Sequence, residues 1–209
     1  MTSMVFSLLL ALAPISIGAS VGTIDGEQKA ASTRLDDGLL DPKWFGEGVA
    51  FTEAKGIDYV WIKPGLNLTG KTIHIKVWED PIVPKRGLFG RHEKTAKIHT
   101  KNFPPKLQKA LAQVLEGRAK ISESEGDAVL IGRFVAAKAQ SGYSFGIGGG
   151  GLEISSESAT WDLKITDAKT GEPLLALHHR VFGINIPIEL RLSQWANHFA
   201  AFVVDKALK

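Results

Sequence analysis

From Ser158 to Thr166 the chain alternates without a break. Ala159, Trp161, Leu163 and Ile165 fall on one side; Ser158, Thr160, Asp162, Lys164 and Thr166 fall on the other. A period of two sustained over this length marks a strand with one face in a core. The next residues make it one arm of a hairpin: Asp167-Ala-Lys-Thr-Gly-Glu172 is a turn signal, and Leu174 to Phe182 is the return strand. Upstream, residues 142–151 are rich in glycine, and Leu152 and Ile154 stand in the opposite register to Ala159 and Trp161. That reversal predicts a bulge or bend near Ser155–Ser158. The glycine tract therefore feeds an extended hairpin rather than a helix.

The remaining elements are set by their own patterns. Gly56–Pro64 reads as a strand, and Lys71–Trp78 as a second, with Ile73, Ile75 and Val77 on one side and His74, Lys76 and Trp78 on the other. Prolines and glycines then predict a long basic loop over residues 80–102. Asn102 is suited to cap a helix with Pro104 and Pro105 in its first turn, with Leu107, Ala110, Leu111, Val114 and Leu115 as its apolar stripe and Gly117 as its stop. Residues 118–123 and Ala128–Ala137 read as strands. A last helix is expected from Ser193, with Trp195, Phe199, Phe202 and Val203 facing a core. The order β-β-α-β-β-β-β-α predicts an α+β fold, an antiparallel or mixed sheet with two helices packed on one face as a two-layer sandwich.

The first 22 residues carry no Asp, Glu, Lys or Arg, and residues 4–13 form an apolar run of signal-peptide length, too short to span a bilayer. Small residues near Ala19 and Ser20 suit cleavage. The expected organisation is a signal peptide over 1–20, a flexible leader over 21–43 and a single α+β domain over 44–209. The protein is then exported, periplasmic or secreted, with no transmembrane span after signal cleavage. The chain has no cysteine. Disulfides, thiolate metal sites, cysteine nucleophiles and a lipid-modified cysteine anchor are all excluded, so the core alone must hold the domain.

The net charge of +3 is unevenly spread. Residues 83–120 carry ten Lys and Arg against two Asp and Glu, while the segments on either side are net acidic. Lys85, Arg86, Arg91, Lys94, Lys97 and Lys101 form the densest part and are the candidate surface-binding residues, suited to phosphate, anionic lipid or acidic protein. A solvated charged loop is the plainer reading of the same run. Aromatic residues are not interleaved with it, which argues against nucleic acid.

Two motifs resemble chemistry. Gly142-Tyr-Ser-Phe-Gly146 fits the G-x-S-x-G nucleophile elbow, with Asp162 or Asp167 and then His178 or His179 following in hydrolase order. The elbow needs a helix after the serine, and an alternating strand stands there instead. Gly146–Gly151 satisfies G-x-G-x-x-G only by being nearly all glycine, and it too lacks the helix that would meet a pyrophosphate. His178 and His179 are adjacent on a strand and face opposite ways, and His92 and His99 match no metal spacing. No catalytic, cofactor or metal site is assigned. Asn67-Leu-Thr69 is a glycosylation sequon, of consequence only on a eukaryotic secretory route.

Two segments carry a resemblance. Asp58-Tyr-Val-Trp-Ile-Lys-Pro-Gly-Leu-Asn-Leu-Thr-Gly-Lys-Thr-Ile73 is similar to the opening of a group of uncharacterised bacterial envelope proteins, many of them lipoproteins, grouped as domains of unknown function. Gly146–Glu153, leading through Trp161 to the Asp-Ala-Lys-Thr-Gly turn at 167–171, resembles their glycine-rich loop and long strand. The resemblance implies an envelope-associated module, similar in architecture to the amino-terminal domain of the Tol system's periplasmic propeller protein, with no catalytic residue to transfer. This chain departs from the group in lacking a lipobox cysteine. The expected function is a non-catalytic envelope module binding a partner protein or an anionic envelope surface. The alternatives are an exported serine hydrolase using Ser144 and a carrier of a small apolar ligand held between sheet and helices.

Overall fold

The computed structural model of the protein describes residues 39–83, 91–145, 152–184 and 186–208. The expected signal peptide, most of the expected leader, Lys85 and Arg86, and the glycines at 146–151 lie outside them. The elements in chain order are α1 (Pro42–Phe45), β1 (Thr52–Ala54), β2 (Ile57–Ile62), β3 (Thr72–Ile75), α2 (Arg91–Val114), β4 (Lys120–Ser122), β5 (Ala128–Phe145), β6 (Leu152–Asp167), β7 (Pro173–Ile184) and α3 (Ile188–Ala207). One seven-stranded sheet runs β1-β2-β7-β6-β5-β3-β4. Pairing is antiparallel from β1 to β5, and parallel where β3 meets β5 and β4. The expected α+β class and mixed sheet are what the chain forms.

The β5–β6–β7 meander is the backbone of the molecule. β5 and β6 pair from Ala128 opposite Asp167 to Phe145 opposite Leu152. The bulge expected at Ser155–Ser158 is not on β6, which pairs with β7 without a shift from Ser156 to Ile165; the irregularity near that level belongs to the partner strand. β5 shifts register between Phe134 and Ala136 and again between Lys138 and Ser141. At the far end, Asp167 Oδ1 accepts from the backbone N–H of Lys169 and Thr170, each at 2.9 Å. Gly171 takes a left-handed φ of 74° there, as the turn sequence predicts.

Three expectations are corrected. The helix foreseen from Asn102 begins at Arg91, so residues 91–102 are helical and not loop. Pro104 and Pro105 sit inside α2, where each removes one N–H from the helical ladder. Burial explains the longer helix: Ala96, His99 and Phe103 continue the Leu107–Leu111 stripe into the core. Second, α3 starts at Ile188 after Pro187, and Ser193 is internal, its hydroxyl donating to the Glu189 carbonyl. The open N–H of Ile188 is taken instead by Glu157 Oε2 from β6 at 2.8 Å, a cap no local pattern reveals. Third, alternation ends at Ile75. Val77 is 89% exposed and Trp78 is buried. The chain from Lys76 to Ile82 follows β5 irregularly, with the N–H groups of Lys76, Glu79 and Ile82 donating to the carbonyls of Leu130, Gly132 and Phe134. The larger apolar area of the indole outweighs that of valine and sets the choice of face.

Helix α2 packs on β5, α3 packs on β6 and β7, and the helices touch each other. Their seam with the sheet holds an aromatic cluster. Phe103 lies within 5.0–6.1 Å, centroid to centroid, of Trp78, Phe134, Trp161 and Trp195. The second face of the sheet is also covered, over its centre, by the chain around α1.

Candidate functional site

Of the six basic candidates, Lys85 and Arg86 lie outside the described residues. The other four are placed on one helix. Lys94, Lys97 and Lys101 are exposed on α2 and Arg91 begins it. The spacing of the three lysines puts them on a common side with Lys109, and Ile98, 46% exposed, stands among them. Lys97 Nζ pairs with Glu93 at 2.8 Å, one turn earlier. That bond and the carboxylate's charge raise the amine above its ordinary value. Lys106, on the flank of the same helix, is engaged by Glu189 of α3 at 2.5 Å.

Ser144 is not on an elbow. It lies in β5 opposite Glu153. His178 is opposite Asp162, nine positions further along β6. At roughly 3.3 Å per residue the two levels are about 30 Å apart along the strand. The serine, carboxylate and imidazole that follow one another in hydrolase order are not brought together.

The structure does assemble a polar row that sequence reasoning missed. Register aligns Arg133, Asp162, His178 and Tyr59 across β5, β6, β7 and β2, and all four are buried. Arg133 Nε donates to Asp162 Oδ2 at 2.9 Å, and His178 Nδ1 lies 2.6 Å from Asp162 Oδ1. This row is on the face away from the helices, beneath a strap formed by Asp41–Phe45. Asp41 Oδ2 meets Arg133 at 3.3 Å. The Trp44 ring takes the Arg133 guanidinium at 4.6 Å and the Lys164 ammonium at 4.2 Å from its centroid. Trp44 Nε1 donates to Glu79 at 2.8 Å, and Lys164 donates to the Trp44 carbonyl. Burial, helped by the Arg133 charge, holds the Lys164 amine below its usual value. An arginine inside the apolar run Ala128–Ala137, and the Trp44-Phe45 pair directly after a polar leader, were the available signals.

Two further histidines are buried on the helix side. His179 Nδ1 lies 3.1 Å from Asp58 and its ring stacks on Trp195. His99 Nδ1 lies 3.0 Å from Glu189, and its Nε2 has no partner. Burial pushes both imidazoles below their ordinary value, against the opposing pull of the carboxylates. His178 and His179 do face opposite ways. Among the described residues no group of three His, Asp or Glu is arranged to hold a metal. The rings around Phe103 pack against one another in the space between sheet and helices.

These observations define a class: a two-layer α+β domain with a mixed sheet, two helices on one face and a strap on the other. No protein-family model matches the chain and no curated protein matches it in sequence. Among solved structures it is similar to a PelC dodecamer from Paraburkholderia phytofirmans, at 12% identity over 72% of this chain and 96% of that one, with a TM-score of 0.41. A DUF330 protein from Xanthomonas campestris matches at 9% identity over 69% and 89%, with a TM-score of 0.43. The rare lipoprotein B of Shewanella oneidensis matches at 10% identity over 64% and 91%, with a TM-score of 0.30. A lipoprotein and a protein of unknown function thus stand among its structural neighbours. Among the described residues no helix is long and apolar enough to cross a membrane.

Proposed function

We propose that the protein is an exported, non-catalytic module of the bacterial envelope that docks on an anionic envelope surface through the exposed side of α2. One observation carries this reading: Lys94, Lys97, Lys101 and Lys109 share a helix side with the exposed Ile98. A basic helix side around an apolar residue suits a surface of phosphate groups over hydrocarbon. Arg91, with Lys85 and Arg86 just before the helix, extends the same charge along the chain. The signal-like opening of the chain and the resemblance of its segments 58–73 and 146–171 to uncharacterised envelope proteins support the compartment, and an architecture like that of the Tol propeller protein's first domain is part of the same proposal. The separation of about 30 Å between the levels of Ser144 and His178 speaks against the hydrolase alternative.

Each lysine near an anionic surface contributes about 1 kcal/mol, and salt screens it. The Lys94→Gln, Lys97→Gln, Lys101→Gln variant should therefore lose most of its co-sedimentation with phosphatidylglycerol vesicles at low salt. Lys97 should contribute least of the three, because Glu93 already neutralises it. Unchanged co-sedimentation of the folded triple variant would refute the proposal. Loss of binding to an acidic envelope protein, with vesicle binding absent in the wild type, would redirect it to a protein partner.

A further inference from the structure

The covered face of the sheet carries a chemistry that a purely structural cover does not need. A buried arginine–carboxylate pair is seldom better for stability than apolar side chains of the same volume. Here the row Arg133–Asp162–His178 lies under a segment of one helical turn, Asp41–Phe45, too short to hold its own helix. The segment is bound as a ligand would be. Its carboxylate, Asp41, meets Arg133, and three residues later the Trp44 ring is within reach of both Arg133 and Lys164. Phe45 is buried beside it, edge-on to Trp44 and Phe51. Immediately afterwards Gly46 and Gly48 take left-handed φ values of 106° and 78°, and the chain turns away before β1. Asp41 and Trp44 both remain partly exposed, so the contact can be entered from solvent.

We propose that this face is a peptide-recognition site, and that Asp41–Phe45 is its built-in occupant. The partner it fits is a segment of another protein bearing a carboxylate three residues before a tryptophan and an adjoining aromatic ring. The carboxylate is read by Arg133, and the indole is read by Arg133 and Lys164, the two cations over its ring. The strap competes with the partner, so the intact protein binds with an affinity reduced by the fraction of time the strap is off. This site is separate from the lysines of α2, and either reading can fail without the other.

The test is a fluorescently labelled synthetic peptide spanning residues 38–48, titrated into the full chain and followed by polarisation. The Trp44→Ala protein, whose strap has lost its main contact, should bind the peptide at least about tenfold more tightly than the wild type. Adding Lys164→Met to that protein should remove the gain, and a peptide with Ala in place of Asp41 and Trp44 should not bind. Should Trp44→Ala fail to fold by near-ultraviolet circular dichroism, Asp41→Asn, which keeps every apolar contact, serves in its place and should show the same direction. A folded strap variant that binds the peptide no better than the wild type overturns the proposal. A wild-type dimer that becomes monomeric in the strap variant also overturns it, by making a second copy of this chain the occupant.

Discussion

The buried charges set two residue-scale expectations. Asp162 is fully buried and serves both Arg133 and His178. Asp162→Ala removes the buried carboxylate and leaves the guanidinium only the half-exposed Asp41, and should cost about 3–5 kcal/mol in urea unfolding at neutral pH. Replacing both partners, as Arg133→Met with Asp162→Leu, should cost clearly less than the single change, and an equal cost would mean that the pair is not the source. The histidines set the pH dependence. His99 and His179 are held below their ordinary value of 6.5, first by burial. In the window below 6.5 the unfolded chain takes up protons that the folded one refuses, so stability is full above that pH and falls as pH drops through it. Glu157 and Lys106 act on His99 in opposite senses, and Asp58 and His178 do so on His179. Asp58 and Glu189 are held below ordinary carboxylate values despite burial, by His179 and by Lys106 respectively. Their stabilising share is therefore lost only at more acidic pH. The denaturation midpoint should decline between pH 7 and 5, and the His99→Gln, His179→Gln protein should show a flatter profile. A flat wild-type profile in that range would refute the assignment.

At the scale of elements, strands were legible wherever one side meets the core and the other meets water or a small cover. β2, β6, β7 and the turn at Asp167 emerge directly from alternation and turn chemistry, because both are local. What failed was decided by contacts from elsewhere in the chain. Pro104 and Pro105 look like a first turn, yet α2 runs through them because Ala96, His99 and Phe103 gain a core on the earlier side. Nothing near Ser193 shows that Glu157, from another element, will cap α3 five residues earlier. The candidate lysines were legible as charge, and their common helix side was not, since the same misplaced boundary hid it. The strap over the polar row was invisible for a related reason: Thr160, Asp162 and Lys164 have the composition of a solvated face. The β5 strand holds one position where element packing can be tested directly. A Cβ on Gly132 would stand 2.6 Å from Trp78 Cε2 and 2.9 Å from the Asp162 carbonyl oxygen. The indole could shift, but the neighbouring strand's backbone cannot, so Gly132→Ala should destabilise by about 1–3 kcal/mol in thermal or chemical unfolding. A neutral result would mean that β5 and the Trp78 segment are not in this register.

For the whole molecule, the question is whether sheet and helices form one cooperative unit in a chain with no covalent cross-link. Three of the five tryptophans, Trp78, Trp161 and Trp195, are buried in the seam between the layers, while Trp44 and Trp61 are half-buried. Phe103 comes from α2 and touches rings contributed by the Trp78 segment, β5, β6 and α3. The seam therefore cannot open at one element without uncovering the others. Acrylamide should accordingly quench two tryptophans readily and leave three protected. In a Trp44→Phe, Trp61→Phe protein the emission reports the seam alone. Its loss in urea should coincide with the loss of helical circular dichroism, as a single cooperative unit requires. Phe103→Ala in that background removes the ring common to every layer, and both transitions should move together to lower urea by an amount corresponding to about 3–5 kcal/mol. If the fluorescence transition moved while the helical signal stayed, the helices would be a separately stable layer, and the aromatic seam would be a contact between two units rather than the core of one.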